Sequence, residues 1–542
     1  MTSRLKVLLP GRDPRFAASS PGGADDSLVD RLARTGIPLN TRCGRRGDCA
    51  GCTVRLLEGA FRTHAGNIVA APASVRACQG SLVPGRPTTI SIPARSLLDL
   101  QTQIGTAFKF RVPSTRRPLV RVEPEVRDHG FAIDIGTTTV VAALVDLRTG
   151  GIVTEQASLN RQVEFGDNVV TRIQVAGDPV QREAMRQAIV RRTLLPLMTA
   201  ACQAARVMPG RIAAVTVAGN TTMLHLLIGA DSSSLGIAPF TPQFTGHRIL
   251  SAGEIGLDPF PASLPVHLLP GFSAFVGADI AAGCICSGLL AEKRPCLLVD
   301  IGTNGELLLA AGGRLIGSAT AAGPAFEGGR LTCGTRAMAG AIGHLRLAVE
   351  PFSVHLEFIG DHAASIGLAG SAYLDFLADA REGGLLDEHG RFTAKWETLP
   401  PDHRWRHDAA RGILLSAGDL TSLVTESDIA QLQQAKAAIA AGIATLLRRS
   451  HLAAADLHRV FLAGGFGLHL HPASAIRSGL LPGFHPEQIE TLGNTALGGA
   501  WLALDDMGKL EEMEEIVRHA DILELNTDPE FEDTYIDQLA LP

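Results

Sequence analysis

The stretch FAIDIGTTTVVAALVDLRTGGIV (residues 131–153) returns in outline as CLLVDIGTNGELLLAAGGRLIG (residues 296–317). Each begins with an apolar run of strand length and turns at Asp-Ile-Gly-Thr. A second apolar run, a Gly-containing turn and a third apolar run follow. The period is far too long for a solenoid, so it marks a duplicated hairpin unit that opens each of two halves, residues 129–295 and 296–542. Helical periodicity follows in each half, from about Pro179 to Met198 and from about Asp428 to Arg449. Strands alternating with helices predict an α/β architecture.

The two turns carry residues suited to phosphate chemistry. In Asp134-Ile-Gly136-Thr137-Thr138-Thr139 and Asp300-Ile-Gly302-Thr303-Asn304-Gly305-Glu306, glycine lets backbone N–H groups approach phosphate oxygens. Threonine adds hydroxyl donors, and an aspartate at a strand end can hold Mg2+ directly or through water. A third element, Val460-Phe-Leu-Ala-Gly464-Gly465-Phe466-Gly467, runs an apolar strand into a Gly-rich turn against which a nucleoside can lie. Either Asp-Ile-Gly-Thr alone is equally well read as a tight hairpin; the pair followed by the third loop is far more specific. No G-x-x-x-x-G-K-[S/T] occurs, which excludes a P-loop enzyme.

This constellation resembles the superfamily of acetate and sugar kinases, Hsp70 and actin (ASKHA), in which two similar lobes close on ATP. The resemblance assigns Asp134, Gly136, Thr137 and Thr138 to a first phosphate loop and Asp300, Gly302, Thr303 and Asn304 to a second. Gly464, Gly465 and Gly467 fall in its adenosine loop. Asp279, Glu306 and Glu327, the last in Gly323-Pro-Ala-Phe-Glu327-Gly-Gly, are candidates for orienting the attacking water or the metal, and the sequence does not rank them. Asn220, Thr221 and Thr222 stand where a strand hands over to a helix. They suit either an anion at the helix N-terminus or ordinary capping, with capping the simpler reading. His225, within an apolar helix, is expected in the core.

The strongest single signal lies earlier. TRCGRRGDCAGCTV sets Cys43, Cys49 and Cys52 at C-x5-C-x2-C spacing, and Cys78 follows in VRACQG. Three thiolates from one loop and a fourth from elsewhere suit the four-sulfur shell of a 2Fe–2S cluster. Gly44, Gly47 and Gly51 let the backbone wrap closely. A zinc site usually pairs two C-x2-C knuckles, and only one is present. Leu28, Val29, Leu32 and Ala33 follow helical spacing before Gly36 and Pro38, and Thr53–Glu58 alternates as a strand. Residues 1–95 resemble the ferredoxin family, whose fold is an α+β β-grasp, with loop spacing nearer the adrenodoxin branch than the plant branch. Residues 96–128, with Pro113, Pro118 and Pro124 among many arginines, read as an extended linker or small connecting element. The other five cysteines, Cys202, Cys284, Cys286, Cys296 and Cys333, sit in apolar surroundings and are expected as buried thiols.

A net charge of −6 gives no case for binding nucleic acid or a membrane surface. The N-terminal MTSRLKVLLPGRD lacks a cleavable signal pattern, and no run of 18 apolar residues occurs, so a cytoplasmic protein is expected. The acidic stretch after Lys509 reads as a solvated helix and tail.

A ferredoxin unit joined to an ATPase suggests an electron driven uphill. Plant-type clusters lie near about −400 mV, and each further 100 mV costs about 2.3 kcal/mol per electron. The whole chain resembles the reductive activators of corrinoid proteins: the cysteine loop, both Asp-Ile-Gly-Thr hairpins, AGNTTMLHLLIG, SATAAGPAFEGG, FLAGGFG and the closing PEFEDTYIDQLALP all match. The resemblance implies a cluster at Cys43, Cys49, Cys52 and Cys78 that passes one electron to a Co(II) corrinoid on a methyltransferase partner, giving Co(I) as ATP is consumed. It also implies a separate donor to the cluster and a homodimer. Two other readings stay open: an ATP-dependent electron donor to another low-potential enzyme, and a nucleotide-switched redox sensor. Arg45 and Arg46 beside Cys43 suit an acidic partner or plain solvation equally.

Overall fold

In a computed structural model, residues 5–9, 14–17, 26–41, 45, 47, 51–93, 96–97, 108–109, 111, 114–166, 168–360 and 365–542 are described. Three principal sheets follow one another along the chain. The first is a mixed five-stranded sheet in the order Arg15–Ala17, Leu5–Leu8, Thr88–Ser91, Thr53–Glu58, Ala73–Arg76. Leu5–Leu8 runs parallel to Thr88–Ser91 while the flanking pairs are antiparallel. Helix Leu28–Arg34 lays Leu28, Val29 and Leu32 against this sheet, which is the β-grasp arrangement. Its start is fixed by Ser27, whose hydroxyl accepts from the Asp30 N–H at 3.3 Å, and it ends before Gly36 at φ +74°.

The two larger sheets share one topology, as the duplicated hairpins anticipated. In the first, strands His129–Ile135, Thr139–Asp146 and Gly151–Leu159 form an antiparallel meander, and Ile212–Gly219 and then Pro265–Leu268 add in parallel on the far side. In the second, Cys296–Ile301, Gly305–Ala311 and Arg314–Thr320 form the meander, with Arg459–Ala463 and Ile489–Gly493 in parallel. Each sheet gains one outer strand, Arg248–Ser251 beside Pro265–Leu268 and Asp521–Leu523 beside Arg314–Thr320. The central strands are buried on both faces, which accounts for their unbroken apolar runs.

The halves are not packed as the sequence divides them. Helix Thr495–Asp505, from the second half, buries Leu497, Ala500, Leu502 and Leu504 in the core beneath the first sheet. It lies against helix Ala278–Ser287, and the approach is close because Gly499 leaves no Cβ to strike the Ala282 backbone. The connection before the first sheet is strapped to the same helix. Leu119 N–H donates to Leu504 at 3.0 Å and the Ser114 hydroxyl to Asp505 at 2.6 Å, while Lys109 N–H donates to Leu492, on the strand just before that helix, at 3.0 Å. The described part of the expected linker is therefore a bound strap.

The expected helix at residues 179–198 is Pro179–Ile189, a single π turn Val190–Leu194, and Leu195–Ala205. Pro196 has no N–H to give, and the wider turn lets the helix pass it without a break. The second expected helix is Glu426–Arg449, opened by a reciprocal cap between Thr425 and Asp428. The acidic C-terminal stretch is docked rather than solvated. Leu510, Met513 and Leu541 are buried, and the ammonium of buried Lys436 donates to the carbonyls of Gln538 (2.7 Å) and Ala540. Charge count missed this because backbone carbonyls, not acidic side chains, receive the lysine. Among the described residues no helix is long and apolar enough to cross a membrane.

Candidate functional site

The ends of the two meanders face one cavity of about 250 Å³. Asp134, Gly136, Thr137 and Thr138 line it from the first hairpin, Asp300, Gly302, Thr303 and Asn304 from the second, and Gly464 and Gly465 from the third loop. Gly467 is not brought to that wall; it packs over Leu462 beneath the turn. Asp279, Glu306 and Glu327 also stand on the wall. Both hairpins are tight, with Gly136 N–H donating to the Thr139 carbonyl and Gly302 N–H to the Asn304 carbonyl, each at 2.9 Å. Gly464, at φ +84°, permits the third loop to close on the second: a Cβ there would lie 2.5 Å from an Asp300 carboxylate oxygen.

Glu327 ties the hairpins together. Its Oε2 accepts from the Thr303 hydroxyl at 3.0 Å and from the Thr138 hydroxyl at 3.3 Å, so one carboxylate oxygen bridges loops of opposite halves. Asn220 does two jobs. Its side-chain carbonyl caps helix Thr221–Ile228 by accepting from Met223 N–H at 3.0 Å, and its amide donates to the Thr137 hydroxyl at 3.0 Å. Capping was the simpler expectation, and the residue also reaches the cleft. His225 is wholly buried, with Nδ1 2.7 Å from the Thr221 carbonyl, and desolvation lowers its pKa, as suits a core histidine.

Four carboxylates share the cavity floor. Asp134 is pushed up to about 6 by desolvation, against which the Asn494 amide works from 2.9 Å. Asp300 is pushed up to about 7 by desolvation and then by the charge of Asp134. Asp279 and Glu306 are raised by desolvation first and by the neighbouring carboxylates second. The aspartates open only onto the cleft, so bulk water screens them poorly. Such a group is at ease only when protons or a cation neutralise it, which fits a divalent-ion site.

Several residues of the wall escaped the sequence reading. Among the described residues that line the cavity, Arg336 is the sole Lys or Arg beside five acids. It lies in an irregular loop, where no periodicity signals a role. Phe326 and Phe466 stack with centroids 5.0 Å apart at the Gly464 side. Asn494 had a signal: Gly-Asn-Thr occurs at residues 219–221 and again at 493–495, both times where a parallel strand meets a helix. Asn494 caps its helix through Leu497 N–H at 2.9 Å just as Asn220 does.

At the β-grasp unit, Cys43 and Cys49 lie outside the described residues. Cys52 and Cys78 are buried and share one end of the sheet: Thr53 pairs with Arg76, and Ala77 N–H donates to the Cys52 carbonyl at 3.1 Å. The Gln79 amide donates to Cys78 Sγ at 3.3 Å and to the Arg45 carbonyl at 2.8 Å, and the Arg76 guanidinium reaches the Gly47 carbonyl. Arg45 and Gly47 are thus tied by their carbonyls to the residues flanking Cys78. The other five cysteines are buried; burial raises Cys202 to about 11 and Cys286 to about 12.

Two family models divide most of the chain. One, described as the RACo middle region, matches residues 129–292; the other, the C-terminal domain of RACo, the ASKHA domain, matches residues 294–542. The chain is 29% identical to a corrinoid activation enzyme, RamQ, of Eubacterium limosum, with 98% of each covered. It is 25% identical to a [Co(II) methylated amine-specific corrinoid protein] reductase of Methanosarcina barkeri over 76% of this chain and 77% of that one. Among solved structures, a reductive activator for corrinoid, iron-sulfur protein superposes with a TM-score of 0.70 at 29% identity, covering 99% of this chain and 98% of the other. With the duplicated sheets, the cleft between their hairpins and these matches in hand, the chain belongs to the RACo family of reductive activators.

Proposed function

We propose that this protein is an ATP-dependent reductive activator of a corrinoid protein, passing one electron to Co(II) to give Co(I). The observation that carries the reading is the junction of two features in one chain. A pair of buried cysteines sits at one end of a β-grasp sheet, and a carboxylate-floored cleft lies between two Asp-Ile-Gly-Thr hairpins. Full-length similarity to a corrinoid activation enzyme supports the same reading. The activator resemblance extends the proposal to a homodimer fed by a separate reductant.

Cys43, Cys49, Cys52 and Cys78 would hold a 2Fe–2S cluster, which supplies a one-electron carrier when bound. The described half of that set fits, since both thiols are buried at one end of the sheet and Cys78 receives an amide donor. In the cleft, Asp134 and Asp300 would hold the Mg2+ of MgATP, which would neutralise their charge and that of the phosphates. Thr137, Thr138, Thr303 and Asn304 hold the phosphates, and Gly464 and Gly465 beside Phe466 receive the nucleoside. Arg336 neutralises charge on the transferring phosphoryl group. Asp279, Glu306 and Glu327 stand within the same cavity to position water or metal. Phosphate entering between Thr138 and Thr303 displaces the Glu327 bridge, so nucleotide state changes what joins the halves. That difference lets ATP favour one relative arrangement over another.

ATP turnover should respond to the acceptor. With the cluster reduced, the steady-state ATPase rate is expected to rise several-fold on adding a Co(II) corrinoid protein, and to stay basal with its methylated form. Equal rates under all three conditions would point instead to a different acceptor or to a sensor.

A further inference from the structure

Away from the cleft carboxylates, three potential ligands converge from three elements of the second half. His344 lies on strand Ile342–Val349, Asp375 on helix Gly370–Glu382, and His471 caps the start of helix Pro472–Arg477. Asp375 is buried, His344 is mostly covered, and the His471 side chain is 53% exposed, so the group has a sealed side and an open side. Asp375 Oδ2 accepts from His344 Nδ1 at 2.8 Å and from Leu345 N–H at 3.3 Å. Its Oδ1 accepts from the Ser474 hydroxyl at 2.5 Å. His471 Nδ1 stops 3.5 Å from the same Oδ1, beyond a good hydrogen bond. The two imidazoles stack with centroids 3.7 Å apart.

We propose that His344, Asp375 and His471 form a binding site for a divalent transition-metal ion, distinct from the Mg2+ of the nucleotide cleft. One nitrogen from each histidine and one carboxylate oxygen already lie within 4.8 Å of one another. Tetrahedral bonds of about 2.0–2.2 Å put ligand atoms about 3.4 Å apart, so closure needs a movement of roughly 1 Å. His471 can supply it by turning its ring out of the stack, because that ring is open to solvent and bears no short contact to Asp375. The fourth position then faces water. Two imidazoles and a carboxylate suit Zn2+, Co2+ or Ni2+, whereas Mg2+ prefers an all-oxygen shell. Ser474 already orients the carboxylate as an outer partner. The site also has a reach toward the cleft. Gly370 and Ser371, at the start of the Asp375 helix, and His469, two residues before His471, line the nucleotide cavity. A bound ion ties these two approaches together.

The test uses the cluster-loaded full chain with excess Mg2+. Zn2+ is titrated in competition with a chromophoric chelator, in wild type, His471→Ala and His344→Gln. Any zinc taken by cluster thiolates is common to all three and cancels in the comparison. Wild type is expected to bind one equivalent more than either variant, or to bind it at least tenfold more tightly. Co2+ should give tetrahedral d–d bands that both variants lose. His471→Ala removes an exposed ring, so its fold should be intact by circular dichroism. Identical zinc stoichiometry and affinity in all three proteins would overturn the proposal, as would displacement of the zinc by Mg2+.

Discussion

Asp300→Asn is expected to lower kcat/KM for MgATP hydrolysis by about 10²–10³-fold, the scale on which removing one preorganised electrostatic partner acts. The side chain stands at a strand end beside Gly464, with Asp134 and Asp279 for neighbours, and is pushed up to about 7 by desolvation and by the charge of Asp134. Without Mg2+ or nucleotide in solution, the folded protein binds protons on Asp134 and Asp300 at pH values where the unfolded chain, with ordinary carboxyls at about 4, has released them. Its stability therefore rises as pH falls through about 7 and 6, and the gain is complete near 4. Mg2+ competes for the same oxygens, so the Mg2+ concentration for half-maximal ATPase should climb as pH drops from 8 to 6. In Asp300→Asn that climb flattens, and the melting temperature without nucleotide increases at pH 8. An unaltered Mg2+ requirement and unaltered melting in this variant would show that the carboxylates are not the ion site.

Cys78→Ala is expected to abolish cobalt reduction while basal ATP hydrolysis stays within about twofold of wild type. The residue lies in the turn Ala77–Gln79, sealed against the β-grasp core and remote in sequence from both hairpins. On the proposed ligand set, its loss removes one of four sulfurs and leaves the others unable to close the shell. Iron and acid-labile sulfide analysis should fall toward background, and the visible absorption of the reconstituted protein should bleach. Gln79→Leu offers a milder counterpart. It keeps all four thiols but removes the amide that donates to Cys78 Sγ and to the Arg45 carbonyl. A cluster that assembles fully in Cys78→Ala would place the fourth ligand elsewhere.

The architecture was legible where chemistry repeats at short range. Asp-Ile-Gly-Thr is one turn long, and its duplication foretold two meanders of the same topology, which the sheet orders bear out. Long-range packing was not legible. Helix Thr495–Asp505 reads as part of the second half, yet it buries its apolar face under the first sheet. Nothing local distinguishes the two destinations, because a buried helix needs only apolar residues all round. The strap formed by the described residues 108–109, 111 and 114–119 has the same explanation, since prolines and arginines look alike whether a segment is free or bound. Asn494 was missed although its Gly-Asn-Thr repeats that of Asn220, and the repeat has a physical cause: each asparagine caps a helix and donates into the cleft. Arg336 came from an irregular loop, and Glu327, a candidate in the sequence, ends the short 3-10 helix Pro324–Glu327 and was not foreseen as the bridge between the hairpins. Their significance lies in which side chains face each other, a property that no spacing rule expresses. The described cysteines illustrate the converse, as Cys52 and Cys78 are 26 positions apart in sequence and are brought to one end of the sheet by the pairing of Thr53 with Arg76 and by the bond from Ala77 N–H to the Cys52 carbonyl.

The central claim is that ATP makes the electron transfer to cobalt possible. Under anaerobic conditions, the cluster-loaded protein with excess reductant is mixed with a Co(II) corrinoid protein, and the visible spectrum is recorded before and after MgATP is added. The account predicts that the Co(I) absorption grows only after MgATP and does not grow with a non-hydrolysable analogue. Co(I) appearing at the same rate and extent without nucleotide would contradict it, because the cleft would then have no part in the reduction.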